Sequence, residues 1–285
     1  MNPLMPVWQV ALVALASSAA CSFLVWAVSL ARHNVALADS DWSVSIMFSA
    51  VVFALGLPPL RPTIVAMLLL SSAWALRLSL FITPRNWGQP EERRYAQVRQ
   101  RNEPHFEWKS LYLVFGLQAL LAWLVAMPFL AAALALGAGN TWSGLHSLGL
   151  AVALFGLLFE ALADAQMATV KARAPKADEV MNHGLWRYSR HPNYFGESCV
   201  WWGIALLALA GGGAWYALQS PVLVTFLLLK VLGVNLQEQH LQSRGPAYLD
   251  YVRRTSAFLP LCPRKRLRAD GPVDNDFAEK LMERL

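Results

Sequence analysis

Long apolar runs, separated by polar connections of uneven length, dominate the chain. A helix needs about 20 mostly apolar residues to cross the hydrocarbon core of a bilayer. Seven runs reach or approach that length: Pro6–Ala31, Ser43–Leu60, Pro62–Ile82, Ser110–Leu136, Leu145–Asp164, Cys199–Leu218 and Pro221–Gln237. The pattern predicts an all-α, polytopic membrane protein with about seven transmembrane helices. Residues 1–262 read as a single integral membrane domain and residues 263–285 as a polar cytoplasmic tail. No tandem repeat or low-complexity linker interrupts the pattern. The first run has no basic residue ahead of it, so it lacks the n-region of a signal peptide. Ser18-Ala19-Ala20-Cys21 resembles a lipoprotein cleavage site, but the apolar run continues through Leu30.

Composition strengthens this picture. Of 285 residues, 56% are hydrophobic and 15% charged, against roughly one quarter charged in an average soluble domain. That excludes a disordered chain and an ordinary water-soluble enzyme. A mean hydropathy of +0.38 with 12 Trp points to lipid as the solvent. Cys21, Cys199 and Cys262 lie too far apart for a disulfide framework or a zinc site, and no metal is expected.

The net charge of +6 becomes informative through its placement. Arg85, Arg93, Arg94, Arg99, Arg101 and Lys109 lie between runs 3 and 4. Lys171, Arg173, Lys176, Arg187 and Arg190 lie between runs 5 and 6, and seven basic residues from Arg244 to Arg268 follow run 7. The connections 137–144 and 211–220 hold none. The positive-inside rule then puts the N-terminus outside and the C-terminus in the cytoplasm. Arg61 is the exception. A bacterial inner membrane is the expected location, with the bilayer and a lipophilic small molecule as partners and no nucleic acid.

Charges near mid-membrane tend to face a protein interior or snorkel to the surface. Arg77, Glu160, Asp164 and Lys230 are such residues. Glu160, Asp164 and Lys171 fall at i, i+4 and i+11, on one helical stripe. They form either a salt-bridged helix end or part of a polar site.

The densest signal is Gly184-Leu185-Trp186-Arg187-Tyr188-Ser189-Arg190-His191-Pro192-Asn193-Tyr194-Phe195-Gly196-Glu197. Pro192 suits the first position of a helix that runs on into the sixth span, which places His191 near its N-cap. Free N–H groups there, with Arg187 and Arg190 just ahead, suit a phosphate. Asn193, Glu197 and Trp201 recur every four residues and share a face. An amide and a carboxylate there can hydrogen-bond a carboxamide or ribose, and Trp201 can cover a ring. Gly196 permits close approach. Arg, Tyr and Trp are also common as plain interface residues.

This motif resembles the signature of the steroid 5-alpha-reductase-like membrane proteins, specifically a bacterial domain family of unknown function in that clan. Asn86-Trp87-Gly88-Gln89-Pro90-Glu91-Glu92-Arg93-Arg94-Tyr95 resembles that subfamily's loop, and Tyr248–Tyr251 through Phe258–Pro260 resemble its C-terminal end. The resemblance implies a seven-helix fold with NADPH in a cytoplasm-facing cavity. It implies that Asn193 and Glu197 stand near the nicotinamide, that Asp164 holds the cofactor, and that Lys171 serves its phosphates. Arg190 and Tyr194 lie inside the motif, and Glu238 and Tyr248 belong to a polar C-terminal helix that closes the site in relatives. The chain also departs from the steroid reductases. Ser43–Leu60 contains no acid where they carry a Glu, Trp74 stands in place of a Tyr, and Glu160 replaces an Asn.

Three functions compete. The first is an NADPH-dependent reductase of an enone or alkene in a lipophilic, steroid- or isoprenoid-like substrate, with Glu197 as proton relay. The second is an S-adenosylmethionine-dependent lipid or isoprenylcysteine methyltransferase, which shares the run Arg190–Gly196. The Asn193 and Glu197 pair favours the reductase. The third is a non-enzymatic membrane protein that retains the fold.

Overall fold

The computed structural model describes residues 5–135, 141–173, 179–232 and 246–264, with backbone alone at 231, 232 and 246. Lys176, Arg244, Asn235, Glu238 and most of the expected tail lie outside the described residues. The protein is an all-α, multi-pass membrane protein. Among the described residues, five segments are long and apolar enough to cross a bilayer: Val7–Arg32, Val35–Gly56, Pro62–Asn86, Phe106–Ala133 and Gly144–Ala172. The helices are α1 (Val7–Arg32), α2 (Ala38–Gly56), α3 (Pro62–Asn86), α4 (Arg93–Asn102) and α5 (Phe106–Ser110), then α6 (Leu117–Val125), α7 (Met127–Ala133) and α8 (Gly144–Ala172). They are followed by α9 (Pro192–Ala210), α10 (Gln219–Phe226) and α11 (Pro246–Arg254). A wide π turn at Leu111–Gly116 joins α5 to α6 within one span. The chain divides into two compact units, Met1–Phe155 with Cys199–Val224, and Gly156–Ser198 with Thr225–Leu285.

In the first unit α2 is the central helix, packed against α1, α3, α6 and α7. Its apolar window is 56% buried, against 28% for α1, so α1 is the more lipid-facing. Leu24, Leu55, Leu69, Leu76 and Leu80 are exposed, a surface that suits hydrocarbon and would be a liability in water. Gly149 and Gly203 let α8 and α9 cross backbone to backbone. A Cβ on Gly203 would sit 2.5 Å from the Ala153 nitrogen, the small-residue packing typical of membrane helices.

The second span corrects the sequence reading. It begins at Ala38, five residues before the apolar run, and so contains Asp39 and Asp41. Asp41 is 1% exposed. Ser22 Oγ donates to its Oδ2 at 2.5 Å, and Ser45 Oγ and Cys21 Sγ donate to Oδ1 at 2.8 and 3.3 Å. Cys21 thus belongs to the interior of a continuous helix. Asp39 accepts hydrogen bonds from Arg94 and Tyr95, both at 2.7 Å.

The loop Asn86–Tyr95 therefore acts as a clasp on the turn between α1 and α2. Asn34 Nδ2 donates to Gln89 O, Asn86 Nδ2 to Ala36 O, and the Val35 N–H to Glu91, which also holds Arg99. Burial pushes the Tyr95 phenol well above its ordinary pKa, and the adjacent Asp39 adds to this. Burial alone would raise Glu91, but hydrogen bonds from Arg99 and Val35 hold its carboxyl below the usual range. Arg61, the exception to the charge asymmetry, donates to the carbonyls of Ala132 and Ala135 at the end of α7. A cation there complements the helix dipole.

Candidate functional site

The second unit contains most of the residues singled out by sequence. The 184–191 segment is fastened to α8 on one side. Trp186 Nε1 donates to Ala163 O at 3.0 Å, and Leu185 N donates to Gln166 Oε1 at 2.9 Å. Gly184 has φ +58°, a left-handed backbone that requires glycine, and a Cβ there would also push against the Gln166 amide that holds Leu185 N. Trp186 packs with Val170 and Met181.

On its other side the segment is strapped by residues 251–261. Tyr251 Oη donates to Trp186 O at 2.5 Å, Arg190 N to Ser256 O at 2.8 Å, and Leu261 N to Tyr188 O at 3.0 Å. Ser189 Oγ donates to Phe258 O at 2.8 Å and accepts from the His191 N–H at 3.1 Å. Ser189 and Ser256 form a single parallel bridge. With these four hydrogen bonds across more than 60 residues, the motif's shape is set by tertiary pairing.

The helix α9 starts at Pro192, as the motif predicts. Its Gly196 lies against α8 so closely that a Cβ would meet the Glu160 Cβ and N at 2.7 Å. Glycine is required here for helix contact. Phe195 packs edge-on against Phe159 and Phe258, and His191 stacks flat on Tyr194, with 4° between the rings. Glu160, Asp164, Glu197, His191 and Tyr248 are buried. Arg190, Asn193 and Tyr194 are half-buried, while Arg187 and Lys171 are exposed. The stripe Glu160, Asp164, Lys171 thus runs from a buried to an exposed end on one continuous helix.

Asn193 Oδ1 is buried and has no donor among the described residues. A buried amide oxygen without a donor is costly and asks for an explanation. Trp201, expected beside these residues, falls in the other unit, where it packs edge-on against Trp74. Lys230 is exposed and Arg77 half-buried. Glu238 lies outside the described residues. No group of three metal-ligating side chains occurs among the described residues.

A family model, described as protein of unknown function (DUF1295), matches residues 25–255. The chain belongs to this family. Its matched stretch includes α9, the clasp at Asn86–Tyr95 and α11, so the DUF1295 region covers both units. No curated protein and no solved structure gives a significant match to the chain.

Asp41 is the buried acid that hydropathy missed. It sits ahead of the apolar run, where a span search stops. The available signal was the serine pattern: Ser18 and Ser22 on α1, with Ser45 and Ser49 on α2, recur at helical spacing on otherwise apolar helices. Such rows mark an interhelical seam.

Proposed function

We propose that the protein is a membrane-embedded, NADPH-dependent reductase of a conjugated C=C bond in a lipophilic, steroid- or isoprenoid-like molecule. This takes the DUF1295 family as part of the steroid 5-alpha-reductase-like clan, in a bacterial inner membrane with the C-terminus cytoplasmic. The observation that carries the reading is the buried, donor-less Asn193 Oδ1 on the same helix as Glu197, beside the contact of Gly196 with Glu160.

These residues fit a nicotinamide dinucleotide. A carboxamide offers the N–H that Asn193 Oδ1 lacks, and buried carboxyls at Asp164 and Glu197 can accept from amide or hydroxyl groups. Arg190, with the exposed Arg187 and Lys171, suits phosphate charge. His191, Tyr194 and Tyr248 belong to the same unit and add polar groups to this reading. NADPH, when bound, supplies the hydride. Glu197 orients the carboxamide or relays the proton that balances the product. Its burial keeps that proton from bulk water.

The deciding measurement is equilibrium binding of NADPH, NADH and S-adenosylmethionine to purified full-length protein. NADPH selectivity supports the reductase, S-adenosylmethionine binding supports the methyltransferase, and binding of none supports a non-enzymatic role. Glu197→Gln is expected to keep NADPH affinity within about tenfold, 1.4 kcal/mol, and to lose most turnover. Full turnover in that variant would eliminate the relay.

A further inference from the structure

The strap at residues 251–261 and the helix that leads into it, α11, carry apolar side chains on their outer side. On α11, Tyr248 and Tyr251 are buried, whereas Leu249 and Arg253, one turn apart, are exposed. Farther along, Leu259 and Leu261 are 53% and 56% exposed. The Leu261 N–H donates to Tyr188 O, and the Tyr188 side chain is exposed as well. Single surface leucines need no explanation, but these stand among cations. Arg264 is exposed, and its N–H donates to Arg254 O, which brings the end of the strap back to α11. The acid of this stretch, Asp250, is engaged by Arg254 at 2.7 Å. The sequence continues Lys265-Arg266-Leu267-Arg268, so residues 264–268 hold four cations and no acid.

We propose that this edge is an interfacial anchor for anionic phospholipid. Leu249, Leu259 and Leu261 enter the acyl boundary, while Arg253, Arg264 and the basic run after it meet the headgroup phosphates. Interfacial binding grows with buried apolar area plus attraction to anionic lipid, and basic clusters beside a span draw on that attraction. The depth is right. The 184–191 segment that the strap holds lies along the last turns of α8, with Leu185 on Gln166 and Trp186 on Ala163. The 29 residues of α8 reach about 43 Å, against a hydrocarbon core of about 30 Å. Its last turns therefore pass from hydrocarbon into headgroups, and the strap is held beside them. Because the strap shapes the 184–191 segment, lipid charge reaches that motif through backbone pairing. The anchor requires no cofactor and stands apart from the reductase reading.

The test places a bimane on Cys262, which is exposed beside Leu261, in full-length protein carrying Cys21→Ser and Cys199→Ser. Nanodiscs contain phosphatidylcholine alone, or with about one-third phosphatidylglycerol. With phosphatidylglycerol, the bimane should be quenched by lipids bearing a nitroxide at a shallow acyl position. Its quenching by aqueous acrylamide should fall roughly threefold. Replacing Arg264, Lys265, Arg266 and Arg268 by Gln keeps the Arg264 backbone bond and should abolish the dependence on phosphatidylglycerol. Leu259→Ser with Leu261→Ser keeps the backbone tie to Tyr188 and should remove the lipid quenching. Hydrogen exchange at the Arg190 and Leu261 amides should slow in the anionic discs, and exchange indifferent to lipid would overturn the link to the motif. Acrylamide quenching equal in the two lipids, or lipid quenching unchanged by the Gln replacements, would overturn the anchor. So would protection of Cys262 that follows the number of protein copies per disc instead of the lipid, which would make this edge a self-association face.

Discussion

Asp41 in the first unit is completed by residues close in the chain: Cys21 and Ser22 from the preceding helix and Ser45 one turn along its own. Both of its oxygens accept hydroxyl or thiol donors. The second unit buries Glu160, Asp164 and Glu197 on two helices and frames them with a segment tied to residues 251–261. It leaves the neighbouring Asn193 Oδ1 without a donor among the described residues. An acid enclosed by its own helix pair acts as an interhelical fastening. Acids from two helices, beside an amide oxygen without a donor among the described residues, are what the proposed function takes as a receptor. Burial alone would have ranked Asp41 first, so satisfaction of polar atoms separates the two regions better than exposure does.

The strongest way to break this contrast is Gly196→Ala. The added methyl meets backbone and Cβ of Glu160, and forced overpacking of this kind costs about 3 kcal/mol. Thermal unfolding in detergent should show a large drop, with loss of NADPH binding. Normal stability would mean that α8 and α9 can separate freely. Next comes Asp41→Ala, which strands three donors and should cost about 2 kcal/mol while leaving NADPH affinity unchanged. A fall in affinity without a fall in stability would make Asp41 part of the receptor.

Arg190→Ala should do the reverse. Losing a charge-assisted phosphate contact is worth about 1.5–3 kcal/mol, so NADPH affinity drops by tenfold or more and the melting temperature barely moves. Unchanged affinity would return Arg190 to an interfacial role. The smallest effect belongs to Glu91. Its carboxyl titrates lower in the folded protein than when unfolded, so its contribution is present above the ordinary carboxylate pKa. That contribution is lost as pH falls through the lowered value. Glu91→Gln should lower the melting temperature slightly at neutral pH, with the gap closing in acid. A gap that persists at low pH would show that charge is not the source.

Five of the seven apolar runs and the start of α9 were legible in the sequence because hydropathy and a proline at the first helical position are local signals. The run Cys199–Leu218 is not one helix, since α9 starts at Pro192 and ends at Ala210. The start of α2 was not legible, since Asp39 and Asp41 lower the local hydropathy and their partners lie on α1 and α4. Glu160 and Asp164 were readable as one helical stripe, and Asn193 and Glu197 as one helical face, from their spacing. Trp201 shares that spacing, yet packs on Trp74, because periodicity gives a face but not its neighbour at each level. Residues 248–260 stood out by resemblance, but their pairing with the 184–191 segment was invisible, as backbone pairing across such a separation leaves no periodic trace.

That strap also orders events during synthesis. Residues 184–191 leave the ribosome well before Tyr251 and Leu261, and at ~5–20 residues per second the delay is several seconds. Throughout that interval the segment lacks the partners that tie it down on one side. A chain truncated before Tyr251 would carry every one of the five long apolar spans and still have an unlatched motif. The motif's pairing is therefore complete only once residues 251–261 have been made.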